Sequence, residues 1–514
     1  MKSLLLAFVL VFPPGPLAQA PAHIEGHIVQ FGTSTPVAGA RVSIGGASTT
    51  TDENGRFVFP DVQPGRYRIV ASHTAYMPTE YGERGRGTLG ADVTIGPGQT
   101  VRDVVIILVP KGAVAGRVYD ASDKPVANAN VQALKHAYQD GHRILVPVGT
   151  ARSNDVGEYR LPSLPPGPYV IRAGMQPEKR LPVYYPGTTD PAAASPIDVP
   201  PGIEFTGVDL RLVDSRAVRV SGSVVNGMTS QPAVGTALML LPRRGTIATG
   251  SSLRAAASTA GSFEFRDMAP GSYELVASAP NSPEGRIAAS ASVEVGRGDV
   301  DNVTLVLEPQ LSINGRITID SLDSANFNLQ GIRVELRREP YTPELLIVLP
   351  SVGADGTFTF TDVTPGDYQL KVNTAGLKGY VKSARFGAIK ALDPPFHIGG
   401  PGQFDVIIGL NGGSLEGTIL EDSQKPFPGA TAVLVPDPPR RQRFDLYYPT
   451  NFDTSGRLHL DGVAPGDYRL FAWQDVPADA WQDPDFLRLY EDRGRPVHIG
   501  EGSREKVELR LIPR

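Results

Sequence analysis

The sequence predicts an all-β protein built as five tandem seven-stranded antiparallel Greek-key β-sandwiches. Three observations carry this. A phrase of Gly, a second Gly ten positions on and a Tyr two places later is written five times. The copies are Gly55/Gly65/Tyr67, Gly157/Gly167/Tyr169, Gly261/Gly271/Tyr273, Gly356/Gly366/Tyr368 and Gly456/Gly466/Tyr468, with a Pro before every second Gly. Recurrence at a fixed period marks tandem copies of one unit. Short alternating strands are separated by turn signals at roughly 8–12-residue spacing, and no amphipathic helix interrupts them. The resulting borders are a leader at 1–22 and sandwiches at 23–110, 111–215, 216–310, 311–412 and 413–514.

The leader reads as a secretory signal. Lys2 supplies the positive end, and Ser3 to Phe12 forms an apolar run too short to span a bilayer as a helix, which needs about 20 residues. Two small-x-small frames overlap, Ala18-Gln19-Ala20 and Ala20-Pro21-Ala22; cleavage after Ala22 avoids a Pro at the new N-terminus. The expected location is extracytoplasmic: secreted, periplasmic or cell surface. The 514 residues include no Cys, so no lipid-bearing thiol follows the leader and each sandwich stands on its apolar core alone. A net charge of −5 gives no electrostatic footprint for nucleic acid, and no later run reaches transmembrane length. Gly 56 and Pro 47 are high, but 41% hydrophobic content keeps the chain globular.

Each repeat opens with an apolar-x-Gly-x-apolar strand: Ile24 to Ile28, Val114 to Val118, Val220 to Val224, Ile313 to Ile317 and Leu415 to Ile419. The central Gly suggests a bulge or a close backbone approach. A Pro/Gly-marked turn and a second strand follow, clearest at Pro36 to Val42 and echoed at Pro125 to Val131 and Pro426 to Ala432. Asn54-Gly55 and Asp355-Gly356 suit a hairpin turn with positive φ. The next strand alternates, as in Phe57/Phe59, Tyr159/Leu161, Phe263/Phe265, Phe358/Phe360 and Leu458/Leu460. After the Pro-Gly corner, Tyr67-Ile69-Ala71 and its counterparts face inward. The recurrent Tyr reads as a core ring whose hydroxyl bonds backbone near that corner. Closing strands follow at Val104 to Val109, Val208 to Val213, Val303 to Leu307, Phe404 to Leu410 and Val507 to Leu511.

The run Pro36-Val37-Ala38-Gly39-Ala40-x-Val42, then Thr51-Asp52-x-x-Gly55-x-Phe57-x-Phe59, then Val62-x-Pro64-Gly65-x-Tyr67 resembles the carboxypeptidase regulatory-like family. The resemblance implies transthyretin-like seven-stranded sandwiches, related in shape to Cna-B and starch-binding-like folds. It implies a fold and not a chemistry. Repeat 3 departs most, with Ala260 in place of the turn Asp/Asn and a blurred second strand at Pro232 to Leu238; repeat 2 carries an insert around Lys135 to Gly149.

No catalytic constellation emerges. His498-Ile499-Gly500-Glu501 has the first spacing of a zinc carboxypeptidase, but no room follows for a third ligand, and His498 opens a closing strand. The remaining His residues are scattered, and the chain has no Gly-x-Ser-x-Gly elbow and no phosphate-binding loop. No Lys lies in the opening-strand cores around His27, Arg117, Ser223, Arg316 and Thr418, which argues against the isopeptide crosslink that a Cna-B resemblance raises. The chain is read as a non-enzyme with no cofactor and no metal.

Three aromatic clusters stand out as exposed ligand-binding candidates: Tyr184/Tyr185, Tyr447/Tyr448 and Trp473/Trp481. Trp473 is out of phase with inward Tyr468, Leu470 and Ala472, so its ring leaves that core. Flat rings on a sandwich edge can stack on sugars; alternatively, residues 474–492 fold back, as a short helix, and cover Trp473. The acidic set Asp479, Asp483, Asp485, Glu491 and Asp492 reads as a solvated loop sooner than a Ca²⁺ site. Two readings follow. The first is a secreted or envelope binding array for a polysaccharide partner, which requires exposed aromatics. The second is a structural spacer that contacts envelope proteins, which requires buried ones.

Overall fold

Each apolar-x-Gly-x-apolar run becomes the middle strand of its repeat's first sheet. These opening strands are Ala22–Gln30, Gly112–Tyr119, Val218–Asn226, Leu311–Asp320 and Gly413–Ile419. The computed structural model describes residues 20–83, 90–139, 141–175, 182–213, 218–243, 253–268, 270–282, 285–296, 298–320, 327–339, 349–374, 377–392, 395–419, 430–438, 440–453 and 455–513. The leader up to Gln19 and the Pro426 to Gly429 part of the fifth repeat's turn lie outside them. The chain divides into two compact units, the first ending at Pro110 and the second running from Lys111 to Arg514. Almost all regular structure is β, and every strand pairs within its own repeat. The described strands number seven in repeats 3 and 5, eight in repeat 4 and nine in repeats 1 and 2.

On one side the opening strand meets the strand that follows the first Gly of the phrase: Arg56–Val62, Glu158–Leu164, Ser262–Met268, Thr357–Val363 or Arg457–Val463. All five pairs are antiparallel and slip register near the start of the opening strand. On the other side lies the closing strand: Thr100–Leu108, the split pair Glu204–Phe205 and Leu210–Arg211, Val300–Pro309, Gln403–Gly409 or Arg504–Leu509. Here the antiparallel expectation is corrected, because this pairing is parallel in every repeat. Side-chain alternation has the same period in either direction and does not report strand sense. The chain therefore enters and leaves each sandwich at opposite ends.

In repeats 1 to 3 the opening-strand Gly lets the closing strand approach this closely. A Cβ on Gly26, Gly116 or Gly222 would lie 2.1, 2.0 or 1.9 Å from the carbonyl oxygen of Val104, Val208 or Val303 on the closing strand. On Gly26, Gly222 and Gly315 it would also strike the ring of Phe57, Phe263 or Phe358 at 2.7, 2.8 or 2.1 Å. Both readings of the Gly, bulge and close approach, are realised.

The first Gly of the phrase has φ between +70° and +78° in all five repeats, and its carbonyl accepts from an opening-strand N–H. In four repeats the turn is built by a side chain three positions earlier; in repeat 4 that position is Gly353, and Asp355 accepts from the Thr357 N–H instead. Asp52, Asn154 and Asp453 accept through Oδ1 from two backbone N–H groups each, and Ser258 Oγ does the same in repeat 3. Ser258 thus replaces the Asx that Ala260 had seemed to remove. The second sheet pairs the hairpin strand with the Tyr strand, for example Thr431–Pro436 with Gly466–Trp473. The corner Tyr behaves as read: Tyr67, Tyr169, Tyr368 and Tyr468 donate to the carbonyls of Gln63, Pro165, Thr364 and Ala464. One apolar cluster fills the inside of each repeat, and in repeat 3 the two layers join into a single seven-stranded sheet where Gly285–Val295 pairs with Val300–Pro309.

Overpacking at the strand crossing gives a direct prediction. Gly222→Ala should destabilise repeat 3 by about 1–3 kcal/mol or more, read as faster amide exchange along Val218–Asn226. Gly298→Ala, where nothing lies within 4 Å of the added methyl, should leave exchange unchanged.

Candidate functional site

The strand Gly466–Trp473 faces two layers. Tyr468, Leu470 and Ala472 enter the fifth repeat's core, while Phe471 and Trp473 point to the outer face of the sheet. There they join Val433, Val435, Tyr447, Trp481, Leu487 and Ile512 in a second apolar cluster. Phe471 and Trp473 stack with centroids 5.2 Å apart and planes within 10°; Tyr490 stands edge-on to Trp473 at 5.8 Å, and Phe486 packs at 6.1 Å.

The cover consists of a 3-10 turn at Ala480–Gln482, a short helix at Pro484–Arg488 and a 3-10 turn at Glu491–Arg493. Asp483 caps the helix by accepting from the Asp485 and Phe486 N–H groups, with Pro484 at the first helical position. Arg441 grips Glu491 with two bonds of 2.9 and 2.7 Å, and Arg469 approaches the same carboxylate at 3.4 Å. These bonds hold Glu491 below its ordinary value, with burial opposing. The acidic set is therefore used partly for capping and ion pairing. Among the described residues no group of His, Cys, Asp or Glu is arranged to hold a metal.

The expected exposure of the aromatics is corrected. Trp473 is 1% and Trp481 7% exposed; Tyr184 and Tyr447 are also buried, and Tyr185 and Tyr448 are half-buried. The reason is that the outer sheet faces of repeats 2 and 5 are themselves apolar and are roofed by local chain. Tyr184 lies with Leu134, Leu145 and Val170 outside the second sheet of repeat 2, whereas Tyr185 packs on the core inside. Tyr447 donates to the Arg441 carbonyl, and Tyr448 accepts from the Ala464 N–H at 2.9 Å while packing edge-on to Tyr468. Burial pushes the Tyr448 hydroxyl up to about 12 and that of Tyr447 upward as well. The indole N–H groups of Trp473 and Trp481 are buried without a partner, so ring packing and ion pairs, not indole hydrogen bonds, hold the cover.

His498, the one residue with metal-ligand spacing, sits exposed with Nδ1 2.7 Å from Asp467 on the neighbouring strand; His397 and Asp367 repeat the pair at 2.8 Å in repeat 4. Open polar clefts lie over the opening-strand Gly of repeats 2 and 5. In the first, a hydrogen bond from Arg117 holds Glu158 below its ordinary value. Sequence reasoning missed the Arg441–Glu491 anchor and the Phe471 stack. The Asp483-Pro484 start signal was available to locate the helix.

The sequence profile of the carboxypeptidase regulatory-like domain matches residues 23–109 and 113–201. The first two repeats are carboxypeptidase regulatory-like domains. No curated protein matches the sequence. Among solved structures, the Bacillus anthracis TIE protein is 12% identical over 72% of this chain, with a TM-score of 0.16. The chain covers 65% of that protein, less than two thirds of its length. A minor pilin of Streptococcus agalactiae is 14% identical over 37% of this chain and 95% of its own (TM-score 0.21). The major pilin subunit of Bacillus cereus is 11% identical over 56% and 99% (TM-score 0.15). At these scores the likeness carries neither arrangement nor function from one protein to the other. In the two regulatory-like domains, as in the later repeats, the phrase residues are spent on turns, corners and core.

The Glu491 anchor sets a pH dependence. Its folded value lies below 4.5, so its contribution is complete above that pH and is lost as pH falls through the folded value. The anchor is partly exposed, so that contribution is at most about 1 kcal/mol. Fluorescence of the two Trp residues should hold steady from pH 7 to about 5, then shift red with greater acrylamide quenching below about pH 4. Glu491→Gln should show raised quenching already at pH 7 and a flatter acid response; identical curves for the two proteins would contradict the anchor.

Proposed function

We propose that the chain is a non-catalytic, extracytoplasmic multidomain protein of the cell envelope. Its five sandwiches, bordered near residues 110, 215, 310 and 412, serve as spacers and protein-interaction modules. The observation that carries this reading is the parallel pairing of first and last strands in every repeat. Tension along the chain then loads a row of inter-strand hydrogen bonds side by side instead of opening them one at a time. A spacer needs that property and a catalyst does not. The Lys2 and Ser3 to Phe12 leader supports export. Among the described residues no helix is long and apolar enough to cross a membrane.

Sugar stacking requires ring faces open to a ligand. Trp473, Trp481, Tyr184 and Tyr447 lie beneath their own chain, which favours the spacer over the polysaccharide-binding array. The discriminating experiment passes the exported chain and its Trp473→Ala/Trp481→Ala variant over a panel of immobilised polysaccharides. The spacer reading expects neither protein to be retained. Retention of the parent, lost in a variant whose circular dichroism is unchanged, would replace it with the carbohydrate-binding reading.

A further inference from the structure

The long hairpin of repeat 2 meets the helical cover of repeat 5. In repeat 2 the hairpin Asn130–Gln139/His142–Arg152 has strands of 10 and 11 residues, against 4 and 4 in repeat 1. Its first strand pairs with the Tyr strand only as far as Leu134, so Lys135–Gln139 and their partners run on as a two-stranded ribbon. In repeat 5 the facing segment is the helical cover over Trp473.

At the contact, Tyr138 stands edge-on to Phe486 with ring centroids 5.8 Å apart. A Cβ on Gly141, at the hairpin turn, would lie 2.8 Å from the carbonyl oxygen of Gln482 and 3.2 Å from its Cβ. Gly141 has φ +74°, so the turn and the close approach both favour a residue without a side chain. The charges are complementary. Residues 135–146 carry Lys135, which lies over the Tyr169 ring of its own repeat, together with Asp140 and Arg143, while residues 474–492 hold six carboxylates and a single Arg, so Arg143 is the cation that answers them. Asp483 and Tyr490 of the cover and Arg143 of the ribbon all act electrostatically on Tyr138.

We infer that the repeat 2 ribbon and the repeat 5 cover form an intramolecular latch, which closes repeats 2 to 5 into one body and opens to release them as a string. Linkers join each repeat only to its sequence neighbours, and parallel terminal strands send the chain out of the far end of each sandwich. Contact between the second and fifth repeats is therefore extra to the tandem plan. The contact is small, mixed aromatic and ionic, and seated on a cover with unpaired indole N–H groups, which suits a reversible closure. The inference does not depend on what the sandwiches bind.

The chain has no Cys, so an engineered pair reports without background. The full chain carrying His142→Cys and Gln482→Cys, from the strand and the turn that meet beside Gly141, should form an intramolecular disulfide under mild oxidation at least tenfold faster than a His142→Cys/Gly502→Cys control. Arg143→Glu added to the first pair should slow it severalfold, and so should raising the salt, since part of the attraction is screened. Should the cysteine pair disturb folding, the chain carrying only Tyr138→Ser and Arg143→Glu should sediment more slowly than the parent, with unchanged circular dichroism. A crosslink no faster than the control, or an unchanged sedimentation coefficient, would overturn the latch.

Discussion

Each sandwich is arranged around the pairing of its opening and closing strands, and in repeats 1 to 3 the backbone of one lies against the backbone of the other with no side chain between them. The Val104, Val208 and Val303 carbonyls occupy space that any Cβ on Gly26, Gly116 or Gly222 would claim. In repeats 1, 3 and 4 the facing Phe ring fills the remaining gap and ties the crossing to the core. The phrase strand can then lie antiparallel on one side while the closing strand runs parallel on the other. The positive-φ Gly turn and the Tyr corner fix where the chain reverses, so alternating residues arrive in phase on the inner face.

Much of this was legible because it depends on local chemistry. A Gly amid β-branched residues, an Asn or Asp next to a turn Gly, and a Tyr two positions after Pro-Gly each have a mechanical reason within a few residues. Strand direction was not legible: alternation in Val303 to Leu307 or Phe404 to Leu410 looks the same whichever way the neighbour runs. Ser258 was missed for a related reason. The hydrogen-bonding role belongs to the position three before Gly261, not to the residue adjacent to it.

The aromatic clusters were found; for Trp473 the covered alternative, a fold-back of residues 474–492 with a short helix, is the one realised, whereas the burial of the Tyr pairs was not foreseen. Phase along Gly466–Trp473 correctly sends Trp473 away from the core, but an outward ring on a sheet is exposed only if nothing roofs it. Val433 and Val435 already made the outer face apolar, and the roof comes from residues beyond the strand. Tyr184 repeats the lesson in repeat 2, where a neighbouring Tyr185 faces the opposite layer. The contact between Tyr138 and Phe486 joins segments more than 300 residues apart, a separation at which periodicity carries no information.

The central claim is that each sandwich is closed by the parallel pairing of its own ends, and pulling the chain from its two termini tests it most directly. Single-molecule extension should give one discrete force peak per repeat, each releasing about 100 residues, or roughly 330 Å of contour. Repeat 2, whose closing strand is split and matched at four positions, should yield at lower force than repeats 1 and 4, matched at seven. Gradual extension at low force without separate peaks would contradict it.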